Sequence, residues 1–303
     1  MAKEYAKVLD YLNIKYLIIG RSNNNFKKNN FINLLDLKKG GLKKFLNEKP
    51  NLPDCAIIAV DILNLTSVSN LLIDYGIKKI LLEKPGSLFK EDLSKLFKKS
   101  LKTNSNIYIA YNRRYFESIE LLKSKLKNEK VKSLHFDFSE MIEKVIKKKY
   151  PKNILSRWLI ANSTHIIDLV IYILGKGSLK LNTYVGGVNC LNNHKSIFIG
   201  AGRFNDIFVT YHSNWKSPGN WSIFIMTDKK KYILNPIEKL KFQLHNSQKI
   251  NEFKNASLFE KKFKPGLYKM TKHFIYNVNL LRIPSLKEHI NNFKIYDSIS
   301  QYL

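Results

Sequence analysis

The sequence predicts an α/β fold: a doubly wound parallel sheet that lacks its first strand, followed by an α+β domain with a large, open, mainly antiparallel sheet. Three observations lead there. In the first third of the chain, short and wholly apolar runs alternate with segments of helical period, the pattern of a parallel sheet covered on both faces. Beyond residue 112 the apolar runs follow one another through short connections, the pattern of an antiparallel or mixed sheet. Finally, 303 residues with 44% hydrophobic composition suffice for two domains with real cores and exclude a disordered chain. The expected division is 1–112 and 113–303.

In chain order, residues 2–12 place Tyr5, Val8, Leu9 and Leu12 at helical spacing. Residues 15–19 then form a short strand ending at Gly20. A second strand covers 55–60, a helix 65–75, a third strand 79–82, a helix 88–101 and a fourth strand 107–111. In the second half a helix runs from 115 to 127, residues 131–138 alternate as a strand does, and an apolar helix covers 164–174. Residues 181–188, 196–201, 207–212, 221–226 and 231–234 read as strands. No internal repeat or low-complexity linker separates the halves.

The 52 Lys and Arg against 24 Asp and Glu give a net charge of +28. The basic residues are scattered in short clusters such as 147–149 and 229–231, in a chain crowded with Asn and Ile, so composition rather than a polyanionic partner accounts for them. Nucleic acid is not an expected partner, because no recognition motif accompanies the charge. Cys55 and Cys190 are far apart and neither C-x-x-C nor a His-rich tract occurs, which argues against a disulfide framework and a metal site. The apolar stretch 166–174 is interrupted by Asp168 and falls short of the ~20 residues of a membrane span. With no signal-peptide pattern at residues 1–5, a cytoplasmic protein is expected.

The residues that carry chemistry stand at the carboxyl ends of the predicted parallel strands, where open α/β sheets bind ligands. A dinucleotide-binding domain of this kind opens with a strand, a glycine-rich turn and a helix that receives the pyrophosphate. Here the first helix has neither the strand nor a G-x-G-x-x-G before it. At the end of strand 15–19, Arg21 and Ser22 occupy the position where an acidic residue would bind a ribose hydroxyl; an Arg beside a hydroxyl suits a 2′-phosphate, favouring NADP over NAD, with a solvated Arg as the alternative. Strand 79–82 runs into Glu83-Lys84-Pro85, where Pro85 restricts the turn that presents the lysine. Strand 107–111 ends in Asn112-Arg113-Arg114. Farther on, Asn162, His165 and Asp168 recur every third residue and share one face of the helix 164–174. Histidine beside apolar residues is commonly structural, so its position alone leaves that reading open.

Glu83-Lys84-Pro85, the run 110–114 and the run 162–168 resemble, in order and spacing, the signatures of the glucose-fructose oxidoreductase/inositol dehydrogenase (Gfo/Idh/MocA) family. The resemblance extends through 211–215 with Ser217-Pro218-Gly219, and to Lys264-Pro265-Gly266-Leu267. It implies a Rossmann-like domain, a second domain for substrate binding and oligomerisation, and NAD(P)-dependent oxidation of a secondary alcohol, or reduction of the ketone, on a sugar, cyclitol or nucleotide sugar. By the same resemblance Lys84 contacts the reacting hydroxyl and His165 exchanges its proton, with no metal. Arg21, Ser22, Ala59, Val60, Glu83, Lys84, Asn112 and Arg113 are then expected to meet the cofactor. Arg114, Trp158, Asn162, Tyr211 and Trp215 are expected to meet the substrate, and a homodimer or homotetramer is implied. Two departures from the family pattern stand out. Ala161 occupies a position that is Asp in many members, with Asn162 as a substitute polar contact, and the first strand and glycine turn are missing. The second departure leaves an inactive relative or a truncated fragment, serving as a binding or oligomerisation module, as the alternative.

Overall fold

The structure, a computed structural model, describes residues 1–21, 31–188, 195–253 and 258–302. It divides into two compact units: Met1–Tyr115 with Leu258–Asn291, and Phe116–Ser257 with Asn292–Leu303. In the first, helix α1 (Ala2–Tyr11) precedes β1 (Tyr16–Ile19) and β2 (Leu34–Lys38), which pair in parallel. Next come α2 (Gly41–Asn47), β3 (Ala56–Ile58), α3 (Leu65–Tyr75), β4 (Lys79–Leu82), α4 (Lys90–Lys102) and β5 (Asn106–Ile109). Strands β3, β4 and β5 form a separate parallel ladder with β4 in the middle. Ile80, Leu81 and Leu82 have no exposed surface, as a strand covered on both faces requires. Among the described residues the parallel strands thus fall into two sheets, β1-β2 and β3-β4-β5.

The second unit begins with α5 (Glu117–Leu126) and β6 (Val131–Asp137), followed by the short helices α6 (Ile142–Lys147) and α7 (Lys152–Leu155). A π-helical turn, Leu159–Ser163, leads directly into α8 (Thr164–Leu174). Strands β7 (Leu179–Val188), β8 (Lys195–Phe204), β9 (Ile207–Asn214), β10 (Ser222–Thr227), β11 (Lys230–Leu234), β12 (Leu240–Leu244) and β13 (Ile250–Glu252) complete an eight-stranded sheet. Its order is β13-β12-β11-β10-β6-β9-β8-β7, antiparallel throughout except for the parallel pair β6 and β9. Alternation divides each strand between two faces. Phe136, Phe138, Phe198, Tyr211 and Trp215 are buried, whereas Tyr184, Ile199 and Phe208 lie on the exposed face.

After residue 258 the chain supplies α9 (Leu258–Lys262), α10 (Leu267–Tyr276) and α11 (Leu286–Ser300). The sequence-based division assigned 258–291 to the second domain, but these residues cluster with the first unit. The cause is apolar: Leu267, Met270 and Phe274 of α10 share a core with Tyr5, Val8, Leu81, Ala110 and Tyr115. On the outside, Tyr268 stacks on Phe259 at 4.2 Å and meets Tyr11 edge-on at 5.6 Å.

Candidate functional site

In the first unit the chemistry-bearing residues follow the carboxyl ends of β3, β4 and β5. The ladder continues one residue beyond each strand, with Glu83 N–H donating to Ile58 O at 3.0 Å and Ala110 N–H to Leu82 O at 2.9 Å. Lys84 therefore stands just past a buried strand. The Lys84–Pro85 peptide is cis, and Gly86 N–H closes the turn on Glu83 O at 3.0 Å. Gly86 has φ +77°, which strains any residue with a side chain, and a Cβ there would press on Leu93 at 3.0 Å. From the other side, fully buried His289 bonds Pro85 O through Nε2 at 2.8 Å. A carbonyl can only accept, so Nε2 carries the proton. Burial pushes this imidazole down to about 4, with the Pro85 bond opposing and the Arg114 charge adding to the shift.

Glu83, half-buried at the start of the same turn, accepts from Tyr5 Oη at 2.7 Å. Burial pushes its carboxyl up, opposed by the Tyr5 bond and by the charges of Lys84 and Lys264. Asn112, in the 3-10 turn Asn112–Tyr115, donates from Nδ2 to Pro265 O at 2.9 Å, so two motifs of the resemblance meet here. Arg114 is 2% exposed and forms an ion pair with Glu288 at 2.8 Å, while Arg282 donates from Nε to Arg114 O at 3.0 Å. The expected substrate contact of Arg114 is therefore set against a side chain that ties this turn to the C-terminal segment. Arg113 is half-buried, Ala59 is half-buried and Val60 exposed at the end of β3, and Arg21 is exposed beside Gly40 and Gly41. Ser22 lies outside the described residues.

In the second unit, His165 follows the π turn at the start of α8 and is 7% exposed, with the Trp221 ring 6.4 Å from its own. π turns inside helices are uncommon and recur at functional sites. Asp168, on the same face one turn along, is fully buried. Asn162 donates from Nδ2 to both carboxylate oxygens of Glu140, at 2.9 and 3.0 Å, and Ser163 Oγ donates to the same carboxylate at 2.8 Å.

The other expected substrate residues are buried. Tyr211 is 1% exposed and lies across Gly200, where a Cβ would fall 2.3 Å from its ring, to donate to Thr183 Oγ1 at 2.9 Å. Burial pushes its phenol up to about 12. The Trp215 ring lies tilted against Phe198 at 5.0 Å, and the Trp158 ring tilted against Tyr150 at 5.1 Å. Among the described residues, the Nε1 atoms of both tryptophans lack a hydrogen-bond partner. His289, Glu140 and Trp221 were not singled out from the sequence. Among the described residues no three His, Cys, Asp or Glu side chains gather as a metal site, and no helix is long and apolar enough to cross a membrane.

No protein-family model and no curated protein matches the chain. Solved structures do. A super-repressor mutant of Gal80p from Saccharomyces cerevisiae superposes with a TM-score of 0.77 at 12% identity, over 99% of this chain and 91% of that one. An inositol dehydrogenase homologue from Azotobacter vinelandii, complexed with NADH and myo-inositol, gives 0.68 at 12% identity, over 87% of this chain and 80% of that one. An oxidoreductase from Agrobacterium radiobacter, in complex with NAD+, L-tartaric acid and magnesium, gives 0.68 at 11% identity, over 88% and 82%. The chain has the two-domain fold of the Gfo/Idh/MocA-type oxidoreductases, a fold that Gal80p shares.

Proposed function

We propose that this chain is a nicotinamide-dependent oxidoreductase acting on a secondary alcohol or the matching ketone of a sugar, cyclitol or nucleotide sugar. The observation that carries the reading is Lys84, presented on a turn held from both sides at the carboxyl end of a buried parallel strand. Lys84 stabilises the negative charge that develops on the substrate oxygen. His165 takes the hydroxyl proton during oxidation and returns it during reduction, as a base of near-neutral pKa does best. A bound nicotinamide supplies the hydride chemistry. The residues fit part of a dinucleotide: Arg21 and Val60 are exposed at strand ends, and Lys84 and Arg113 follow the next two strands. Arg21 favours NADP, while the structural neighbours named above carry NAD+ or NADH. A cytoplasmic homo-oligomer is part of the proposal, supported by Tyr184, Ile199 and Phe208, which are 74%, 46% and 58% exposed on one face of the large sheet.

A second reading, a binding or oligomerisation module without catalysis, is favoured by the divided parallel sheet and by the likeness to Gal80p. Fluorescence titration with NADH and NADPH separates the two: micromolar binding supports the oxidoreductase, and no binding supports the module. Given binding and turnover in a polyol screen, Lys84→Ala and His165→Ala are each expected to lower kcat about 100- to 10,000-fold with the melting temperature retained. Unchanged rates would refute the assignment.

A further inference from the structure

We infer that Glu140 is a positioning residue for His165: its carboxylate, just past the end of β6, clamps the π turn that leads into α8 and His165. The inference rests on the oxidoreductase reading only for what His165 does, not for how His165 is held. Glu140 is 8% exposed, and a buried carboxylate is tolerated only where donors satisfy it. The donors come from two consecutive residues, Asn162 and Ser163, at the end of the π turn and two or three positions before His165. A π turn inserts a residue into the helical ladder at a cost in hydrogen-bond geometry, so it persists where neighbouring structure holds it. The Glu140 clamp grips that turn, and with it sets the point at which α8 begins and the direction in which His165 leaves the helix.

The clamp is itself anchored. Ser139 N–H donates to Asp137 Oδ1 at 2.7 Å, Ser139 Oγ accepts from Asn214 N–H at 2.9 Å, and Asp137 Oδ2 pairs with His212 Nδ1 at 2.9 Å. Gly219 closes over Ser139 so tightly that a Cβ would sit 2.5 Å from the serine Cβ. The residue before Glu140 is thus fixed by β6, by the end of β9 and by the loop after β9, which are rigid points from which to hold a helix turn.

The test is a reciprocal swap read on the His165 ring. Glu140→Gln faces one amide donor with another, and Asn162→Asp faces two carboxylates. The double variant restores a donor–acceptor pair with the charge moved to position 162. In 13C-edited NMR, with the His165 signal assigned by His165→Gln, Glu140→Gln is expected to shift the His165 resonance, because the turn that leads into the ring's helix loses its clamp. Asn162→Asp should displace the resonance as well, and the double variant should return it toward wild type. Asp168 and the Asp137–His212 pair remain in place in all three. Should the single variants fail to fold, Ser163→Ala removes one donor at smaller cost and is expected to shift the resonance in the same way. A His165 signal unmoved by Glu140→Gln, or by Ser163→Ala where that variant stands in, would overturn the inference. NADH titration of the wild type is run alongside: failure to bind counts against the oxidoreductase reading, while the NMR result still decides the role of Glu140.

Discussion

Lys84 and His165 are presented by opposite means. The lysine turn is held largely through backbone atoms: a cis-proline peptide, a glycine at positive φ, the Gly86–Glu83 turn bond and the Pro85 carbonyl bonded by His289. The histidine turn is held through side chains, with one carboxylate bonding two neighbouring residues of a π turn. Apart from the His289 bond, the lysine turn depends on residues adjacent in sequence, whereas the side-chain clamp depends on a strand end more than twenty positions away. The two should also fail differently: one through the conformation of its own tripeptide and the histidine beneath it, the other through any change that moves Ser139 or Glu140.

The largest effect that separates them concerns His289. Its folded-state pKa, about 4, lies below the ordinary value of 6.5, so between these limits the unfolded chain binds a proton that the folded chain does not. The stability contributed by the neutral imidazole is complete above pH 6.5 and is lost as the pH falls toward 4, by about 3 kcal/mol. Urea denaturation at pH 7 and pH 4 is expected to show this loss in the wild type and a smaller one in His289→Leu. At pH 7 the variant should already be less stable by about 2 kcal/mol, because Pro85 O is left buried without its donor. Equal pH dependence in the two proteins would show that the lysine turn does not rely on this bond.

The second comparison strikes the histidine turn through its anchor. Gly219→Ala drives a methyl group into Ser139, and overpacking of this kind costs about 2 kcal/mol. The expected result is a lower thermal midpoint together with a displaced His165 resonance, although residue 219 lies 54 positions from His165 in sequence. The Lys84 turn shares none of these anchors, so NADH affinity should change less than the His165 signal does.

The same contrast explains what was legible beforehand. Helices α3 and α8 and strand β4 were read with their observed bounds, because apolar period and flanking Gly, Asn or Pro are local signals. Strand β2 was missed: its Asp36 and Lys38 break the apolar run that marked its neighbours. Strand β12 was missed for a similar reason, with Lys241 and Gln243 between its apolar residues. The return of 258–291 to the first unit was not legible, since only the shared core with α1 reveals it. Among site residues, Lys84 was readable from three adjacent letters. Glu140 was not, because no local pattern says which acid will meet a turn read separately. Tyr211, Trp158 and Trp215 stand out for their aromatic character, but the same character suits the buried packing they make, Tyr211 on the inner face of the sheet, Trp215 just past β9 and Trp158 just before the π turn.

The smallest expected effect tests the Tyr5–Glu83 bond at the lysine turn. Tyr5→Phe removes the hydroxyl that donates to Glu83 and is expected to cost about 1 kcal/mol near neutral pH. The sign of its pH dependence is informative. Burial already holds the Glu83 carboxyl above its ordinary range, so the folded state binds more protons than the unfolded one and stability falls as the pH rises through that window. The Tyr5 hydroxyl opposes the shift by stabilising the ionised form; without it the folded-state pKa moves higher still. The penalty of Tyr5→Phe should therefore grow from pH 4 to pH 8, which urea midpoints at the two pH values would measure. A penalty independent of pH would mean that Glu83 stays protonated throughout. The charge beside Lys84 would then be absent, and the lysine turn would be as purely a backbone construction as its tripeptide suggests.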